Sequence, residues 1–303
     1  MSAERLHDLQ MRQVYARTLV ELADENPEIL VMEADLAKAS GTMPTYSDAH
    51  PDRFVDVGVA EADMIGIGAG LAVEGFVPFC ASFTPFATRR VYDAITISVA
   101  YADANVKIVG TAPGITTGPN GGTHMCFQDL AIMRAMPNMV VLAPCDVYEL
   151  RACVRWAADY VGPVYMQMIR MVQPQVFDED YVFEPGKAVR LREGDDATLV
   201  ATGWMTPFAM QAADELADEG VSVELLHYPC VKPLDVAALV ESAERTNHVL
   251  TVENQSVIGG LGSAVCEALS AERPTQYPSS LTGFQIAGQG RTWHWADAKF
   301  DGD

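Results

Sequence analysis

Residues 54–72, FVDVGVAEADMIGIGAGLA, decide the fold. They join a short apolar run, FVDVGV, to a tract of small and apolar residues, MIGIGAGLA, and Glu61 stands at the junction. The first half reads as a strand and the second as a helix. Gly58, Gly66, Gly68 and Gly70 let backbone or ligand come close. Open α/β sheets bind ligands outside the carboxyl ends of their strands. Glu61 therefore stands where an acid/base group would stand, although the position equally suits a helix-capping or surface glutamate.

The same alternation extends in both directions. ILVMEADL precedes this stretch as a strand, and FVPFCASF, VKIVGTA, MVVLAPC and PVYMQMI follow it. Helices are expected over 88–102, 129–136 and 147–158. VKIVGTA opens a glycine-rich loop, PGITTGPNGGTH. Residues 173–185 hold an acidic run and prolines and read as a linker. Beyond it ATLVATGWM, VSVELLHY and HVLTVENQ alternate with helices expected over 208–219 and 235–243. The expectation is α/β: two domains, 1–172 and 186–303, each a mainly parallel sheet with helices on both faces.

Composition fits this frame. A chain of 303 residues suggests about two domains, and 49% hydrophobic with 20% charged residues supports a real core. A net charge of −21 argues against nucleic-acid or anionic-membrane partners. The six cysteines show no CxxC spacing, so neither zinc nor a redox pair is indicated. The start, MSAERLHDLQMRQ, lacks the apolar core of a signal peptide. No apolar run is long enough to cross a bilayer, and a cytoplasmic location is expected.

Residues 54–72 resemble the carboxylate motif of the transketolase family of thiamine-diphosphate enzymes. VKPLD (231–235) and ENQSVIGGLGSAV (253–265) resemble markers of that family's C-terminal domain. The resemblance implies a pyrimidine-binding domain over 1–172 and a transketolase C-terminal domain after the linker, and it weakens after Pro274. It also implies that Glu61 binds N1′ of the cofactor's aminopyrimidine ring, so that the cofactor's own amino group can take the proton from the thiazolium carbon.

Other residues match the family one at a time. Phe83 and Phe86, in SFTPF, match the aromatic pair that packs on the aminopyrimidine, though such a pair is commonly plain core. Asp35 and Leu36, in EADLA, match residues beside the thiazolium; Asp35 could equally cap a strand end. His124, in NGGTH, matches the histidine near the reacting carbon of the substrate. Arg12 and Arg170 match two arginines that bind a sugar phosphate, a task that suits the guanidinium fork. Taken alone they would read as surface ion-pair residues.

The departures are as informative. Asn120 stands where the family has an aspartate that reads a substrate hydroxyl. Ala112 replaces a histidine near the phosphate, and Ala39 replaces a phosphate-binding serine, with Ser40 adjacent. Arg89 replaces a frequent tyrosine. The cofactor half of the site looks intact and the substrate half altered. The family's Gly-Asp-Gly motif, which holds Mg²⁺ and the diphosphate, has only poor matches, Gly194-Asp195-Asp196 and Asp301-Gly302-Asp303. The expectation is a split transketolase subunit moving a two-carbon ketol unit between a ketose and an aldose, and the altered substrate half points to non-standard sugars. A partner chain would carry the diphosphate domain and Mg²⁺, in an α2β2 assembly. Alternatives are a 1-deoxyxylulose-5-phosphate synthase-like enzyme, a 2-oxo acid dehydrogenase beta subunit, or an inactive regulatory homologue.

Overall fold

The computed structural model describes residues 6–272 and 282–285. The remainder of the tail beyond Pro274, including WHWADAKFDGD, lies outside the described residues. Six strands of the first unit are β1 (Ile29–Glu33), β2 (Phe54–Asp56), β3 (Val77–Phe83), β4 (Lys107–Thr111), β5 (Val140–Leu142) and β6 (Val164–Met168). The second unit contributes β7 (Val189–Arg192), β8 (Ala197–Ala201), β9 (Val223–His227), β10 (Cys230–Lys232), β11 (Val249–Glu253) and β12 (Thr282–Gln285). The main helices are α1 (Met11–Glu25), α2 (Glu61–Val73), α3 (Asp129–Ala135), α4 (Val147–Asp159), α5 (Thr206–Asp218), α6 (Val236–Thr246) and α7 (Leu261–Glu272).

The larger sheet runs β10-β5-β6-β4-β3-β1-β2, and every pairing except β10 with β5 is parallel. The smaller runs β12-β11-β8-β9-β7, antiparallel only where β7 meets β9. β1, β3, β4 and β6 are buried along their whole length, because helices cover both faces. Local signals set the helix ends. Asp146 caps α4 by accepting from the backbone of Tyr148 and Glu149, and Asn247 closes α6 in the left-handed region at φ 55°.

Two features differ from the sequence reading. Residues 88–102 do not form one helix. They break into a 3-10 turn, a short α-turn and a π-helical turn, Ile95–Ala100. The second difference is β10, which leaves its own unit to extend the first sheet. Its Val231 joins Tyr228, Leu239 and Leu261 in one apolar cluster with Leu130, Met133 and Val141 of the first unit. The two sheets therefore share a core.

Polar contacts reinforce that joint. His227, ending β9, meets Glu149 of α4 at 2.8 Å with both side chains fully buried. Burial alone would push the Glu149 carboxyl up, but His227, the Tyr181 hydroxyl and the Cys145 N–H outweigh it and hold the pKa below its usual value. Ligand atoms of Cys145, Glu149 and His227 lie within 4.8 Å of one another. Glu149 and His227 are already engaged with each other, and His227 also with Thr206, so the trio reads as a strut. Residues 173–185 lie against α4: Val176 and Phe177 donate backbone N–H groups to Asp146, and Tyr181 donates to Glu149.

Candidate functional site

The carboxyl ends of β1, β2, β3, β4 and β6 open on one edge of the larger sheet, and each delivers a residue of interest. β1 leads to Asp35 and Leu36, and β2 to Gly58 and Glu61. β3 ends in Phe83 and runs into the short helix Thr84–Ala87, which carries Phe86. β4 leads to Ala112 and the loop with Asn120 and His124, and β6 leads to Arg170. Parallel connection therefore brings to one edge residues up to 135 positions apart in sequence, from Asp35 to Arg170.

α2 begins at Glu61 itself, and the side chain is 3% exposed. The helix lies close to the sheet because Gly68 faces Cys80; a Cβ there would stand 2.8 Å from the Cys80 sulfur. Gly66 and Gly70 face the other way, into open space, beside exposed Ile67 and Val73. Only one of these three helix glycines thus serves packing within the chain.

Arg90 donates to Glu61 Oε2 at 3.0 Å, and its guanidinium covers the Phe86 ring at 4.3 Å. Phe83 and Phe86 meet edge to face at 6.2 Å. The His124 ring stands edge-on to both, 5.6 Å from Phe83 and 5.3 Å from Phe86. Arg170 lies over Phe83 at 4.7 Å. The six form one contiguous arc. Pro85, Phe86, Arg89, Arg90, Thr123 and His124 line an open pocket on it.

Arg12 enters from the start of α1, where Met11 N–H donates to the Met171 carbonyl. It donates to Gln10 and to the Ala39 carbonyl. Burial and the Arg12 charge both lower the Arg170 pKa. Neither arginine is paired with a carboxylate among the described residues, so this end of the arc offers two cations to an anion. Ser40 does not replace the missing serine at Ala39. Its hydroxyl is buried and hydrogen-bonded to Glu33, as is that of Thr42. Ala112 is buried and offers no donor beyond its N–H, which goes to the Met168 carbonyl.

Asp35, Leu36 and Asn120 share the same sheet edge outside the arc. Asp35 is exposed in the left-handed region at φ 60°, with its N–H taken by Asp56. Asp56 also accepts from Gly58 N–H and so ties the ends of β1 and β2. Asn120 is exposed on a 3-10 turn, Gly118–Asn120. Sequence reasoning missed Arg90, Asp56 and Glu33. The pair Arg89-Arg90, two residues beyond SFTPF, was the available signal for the first.

Glu33 ends β1 on the face opposite Met32 and is fully buried. Burial pushes its carboxyl up to about 8, against the lowering effect of Ser40 and Thr42. Its Oε2 has no partner among the described residues. A carboxyl raised from 4.5 to about 8 on folding costs nothing while both states are protonated. It loses stability as pH rises between those values, because only the unfolded chain ionises there. Urea midpoints measured from pH 5 to 8 should therefore fall less for Glu33→Gln than for the unaltered chain. Parallel curves would show that Glu33 does not titrate in this window.

A residue set with one buried carboxylate, two phenyl rings and an open wall fits a flat, largely apolar ring bearing one basic nitrogen. A diphosphate needs a different cradle. Gly194-Asp195-Asp196 does not provide one: it forms the turn into β8, with both aspartate N–H groups donating to the Ser222 carbonyl and a Gly194 Cβ position blocked by the Val223 backbone.

Comparison with known proteins agrees with this geometry. Residues 7–174 match the family model "Transketolase, pyrimidine binding domain" and residues 186–293 match "Transketolase, C-terminal domain". The chain is 47% identical over 270 residues, 89% of its length and 84% of the relative's, to a 6-deoxy-6-sulfo-D-fructose transketolase subunit of Clostridium sp. (strain MSTE9). It is 36% identical over 260 residues, 86% of this chain and 83% of the other, to an apulose-4-phosphate transketolase subunit of Phocaeicola vulgatus. Among solved structures, a split gene transketolase described as an inactive beta4 tetramer superposes with a TM-score of 0.83 at 42% identity, covering 93% of this chain and 90% of that one.

Proposed function

The chain belongs to the transketolase family, and from that premise we propose that it is the ring-binding subunit of a two-chain, thiamine-diphosphate-dependent ketol transferase acting on a non-standard sugar. The observation that carries the reading is the arc itself: Phe86, Phe83 and His124 in mutual contact, Glu61 joined to Phe86 through Arg90, and the Arg12–Arg170 pair at the far end.

Thiamine diphosphate, when bound, supplies a nucleophilic carbon that the protein's side chains cannot supply. Glu61 would hold and return a proton at the ring nitrogen facing it. Phe83 and Phe86 would fix the ring plane and exclude water. Arg90 now occupies Glu61 Oε2 and the Phe86 face, so it must swing aside to admit a ring; at 50% side-chain exposure it has room to do so. Asp35 and Leu36 are assigned to the thiazolium side. His124 would orient the sugar oxygens, and Asn120, on the same loop, would read a hydroxyl. Arg12 and Arg170 would take the distal anionic group of the sugar.

A partner chain would carry Mg²⁺ and the diphosphate cradle. The open pocket and the outward face of α2, with Gly66, Ile67, Gly70 and Val73 uncovered, support a second chain beside Glu61. We assign an α2β2 complex with an obligate interface of more than about 2,000 Å².

Substrate choice tests this reading. Ala39 and Ala112 remove two donors, and Ser40 is turned inward. Hydrogen bonds to a charged group contribute about 1.5–3 kcal/mol each, or roughly ten- to hundred-fold. The complex is therefore expected to handle xylulose 5-phosphate and ribose 5-phosphate at least about a hundred-fold worse in kcat/KM than its preferred pair. A panel should include 6-deoxy-6-sulfo-D-fructose, apulose 4-phosphate, and pyruvate with glyceraldehyde 3-phosphate. Pentose phosphates at the top of that panel would refute the inference from these positions. Pyruvate at the top would favour the deoxyxylulose-phosphate synthase type of reaction.

A further inference from the structure

The loop that bears Asn120 and His124 is held at its base by the second unit. Gly114 and Cys126 pair as an isolated antiparallel bridge, with N–H···O distances of 2.8 and 3.3 Å, and so close the loop 115–125. Asn254, immediately after β11, reaches across to that base. Its side-chain oxygen accepts from Ile115 N–H at 3.2 Å, and its amide donates to the Pro113 carbonyl at 3.1 Å. Two residues on, Ser256 N–H donates to the Phe127 carbonyl at 2.9 Å, on the loop's other strand. Asn254 is 8% exposed. Gly114, at φ 59°, is the only residue type that fits beneath it, since a Cβ there would overlap the Asn254 side chain. Both strands of the loop are thereby fixed to one turn of the second unit, 139 residues away in sequence.

We propose that Asn254 is a positioning residue for the substrate-facing loop, which gives the second unit a part in the reaction as well as in assembly. This rests on the role assigned above to His124 and Asn120. Apart from the His124 ring packed on Phe83 and Phe86, the loop has few other anchors. Between the bridge residues its hydrogen bonds are local turns, and Arg89 reaches the Thr123 carbonyl only at 3.4 Å. Without Asn254 the loop samples more conformations, and the apparent affinity for substrate falls by the fraction of loop that remains competent. Glu61, Phe83 and Phe86 belong to other elements and keep their places.

The test uses Asn254→Ala in complex with the partner subunit, with hydroxypyruvate as the ketol donor. Amide hydrogen exchange over 115–125 should rise at least about ten-fold while the rest of the chain is unchanged. The circular-dichroism signal of bound thiamine diphosphate should stay the same. KM for hydroxypyruvate should rise about ten-fold with kcat within a few-fold. Gly114→Ala attacks the same contact from the loop side and should give the same signature. It also serves if the first variant does not fold. The two changes together should cost less than their sum. Unchanged exchange over 115–125, an unchanged KM, additive effects, or a loss confined to the cofactor signal would each overturn the proposal. A wild-type complex that binds no thiamine diphosphate would overturn the proposed function instead, and the exchange measurement would still decide the clamp.

Discussion

Purified alone, the chain is expected to transfer no ketol unit. In the proposed reading its residues would hold only one end of the cofactor, with Glu61, Phe83 and Phe86 against the ring, and nothing among the described residues cradles a diphosphate. The nearest Gly-Asp sequence among those residues, Gly194-Asp195, is committed to a turn of the smaller sheet. Arg90 meanwhile occupies the carboxylate and the aromatic face on an open surface. A site completed only at a subunit contact loses everything when the contact is absent, so the expected effect is all or none. Mixing with a partner that carries Gly-Asp-Gly and a downstream asparagine should restore turnover in proportion to complex formed. Transfer by this chain alone, at a rate comparable to the mixture, would refute the two-chain reading.

Glu61→Gln should assemble normally and lose at least about 10²–10⁴-fold in kcat, the usual span for removing a general acid–base group. The amide keeps the shape and one acceptor but cannot exchange a proton with a ring nitrogen. The Arg90 contact weakens to a neutral acceptor, yet α2 keeps its packing through Met64, Ile65 and Gly68, all buried against the sheet. Stability and complex formation should therefore match wild type, and steady-state rates should separate the two proteins. Activity within a few-fold of wild type would remove Glu61 from the chemistry.

What was legible in the chain was what local pattern controls. FVDVGVAE declares a strand that ends one turn before an acid, and the structure places Glu61 at the first residue of α2. SFTPF spans the end of β3 and PGITTGPNGGTH follows β4, so parallel connection brings Phe86 and His124 to a ring separation of 5.3 Å. What was not legible depends on contacts distant in sequence. Arg90 reaches back 29 residues to Glu61, from a segment whose helical period is broken by a π-turn. CVK is too short to read as a strand, and only the tertiary core shared by Val231 and Val141 commits it to the first sheet. In EADLA the exposed Asp35 draws attention, whereas Glu33, two residues earlier, is the last residue of β1, which is covered on both faces and so buries it. ENQSVIGG reads as a family marker, and its hold on the His124 loop emerges only when both sheets are in place.

The most direct test of the central claim is a titration of thiamine diphosphate, with Mg²⁺ present, into this chain, its partner, and their mixture, followed by near-ultraviolet circular dichroism. A saturable signal should appear only in the mixture, at one cofactor per pair of chains, and Glu61→Gln should alter that signal without abolishing the complex. A saturable signal of equal affinity from this chain alone would contradict the account.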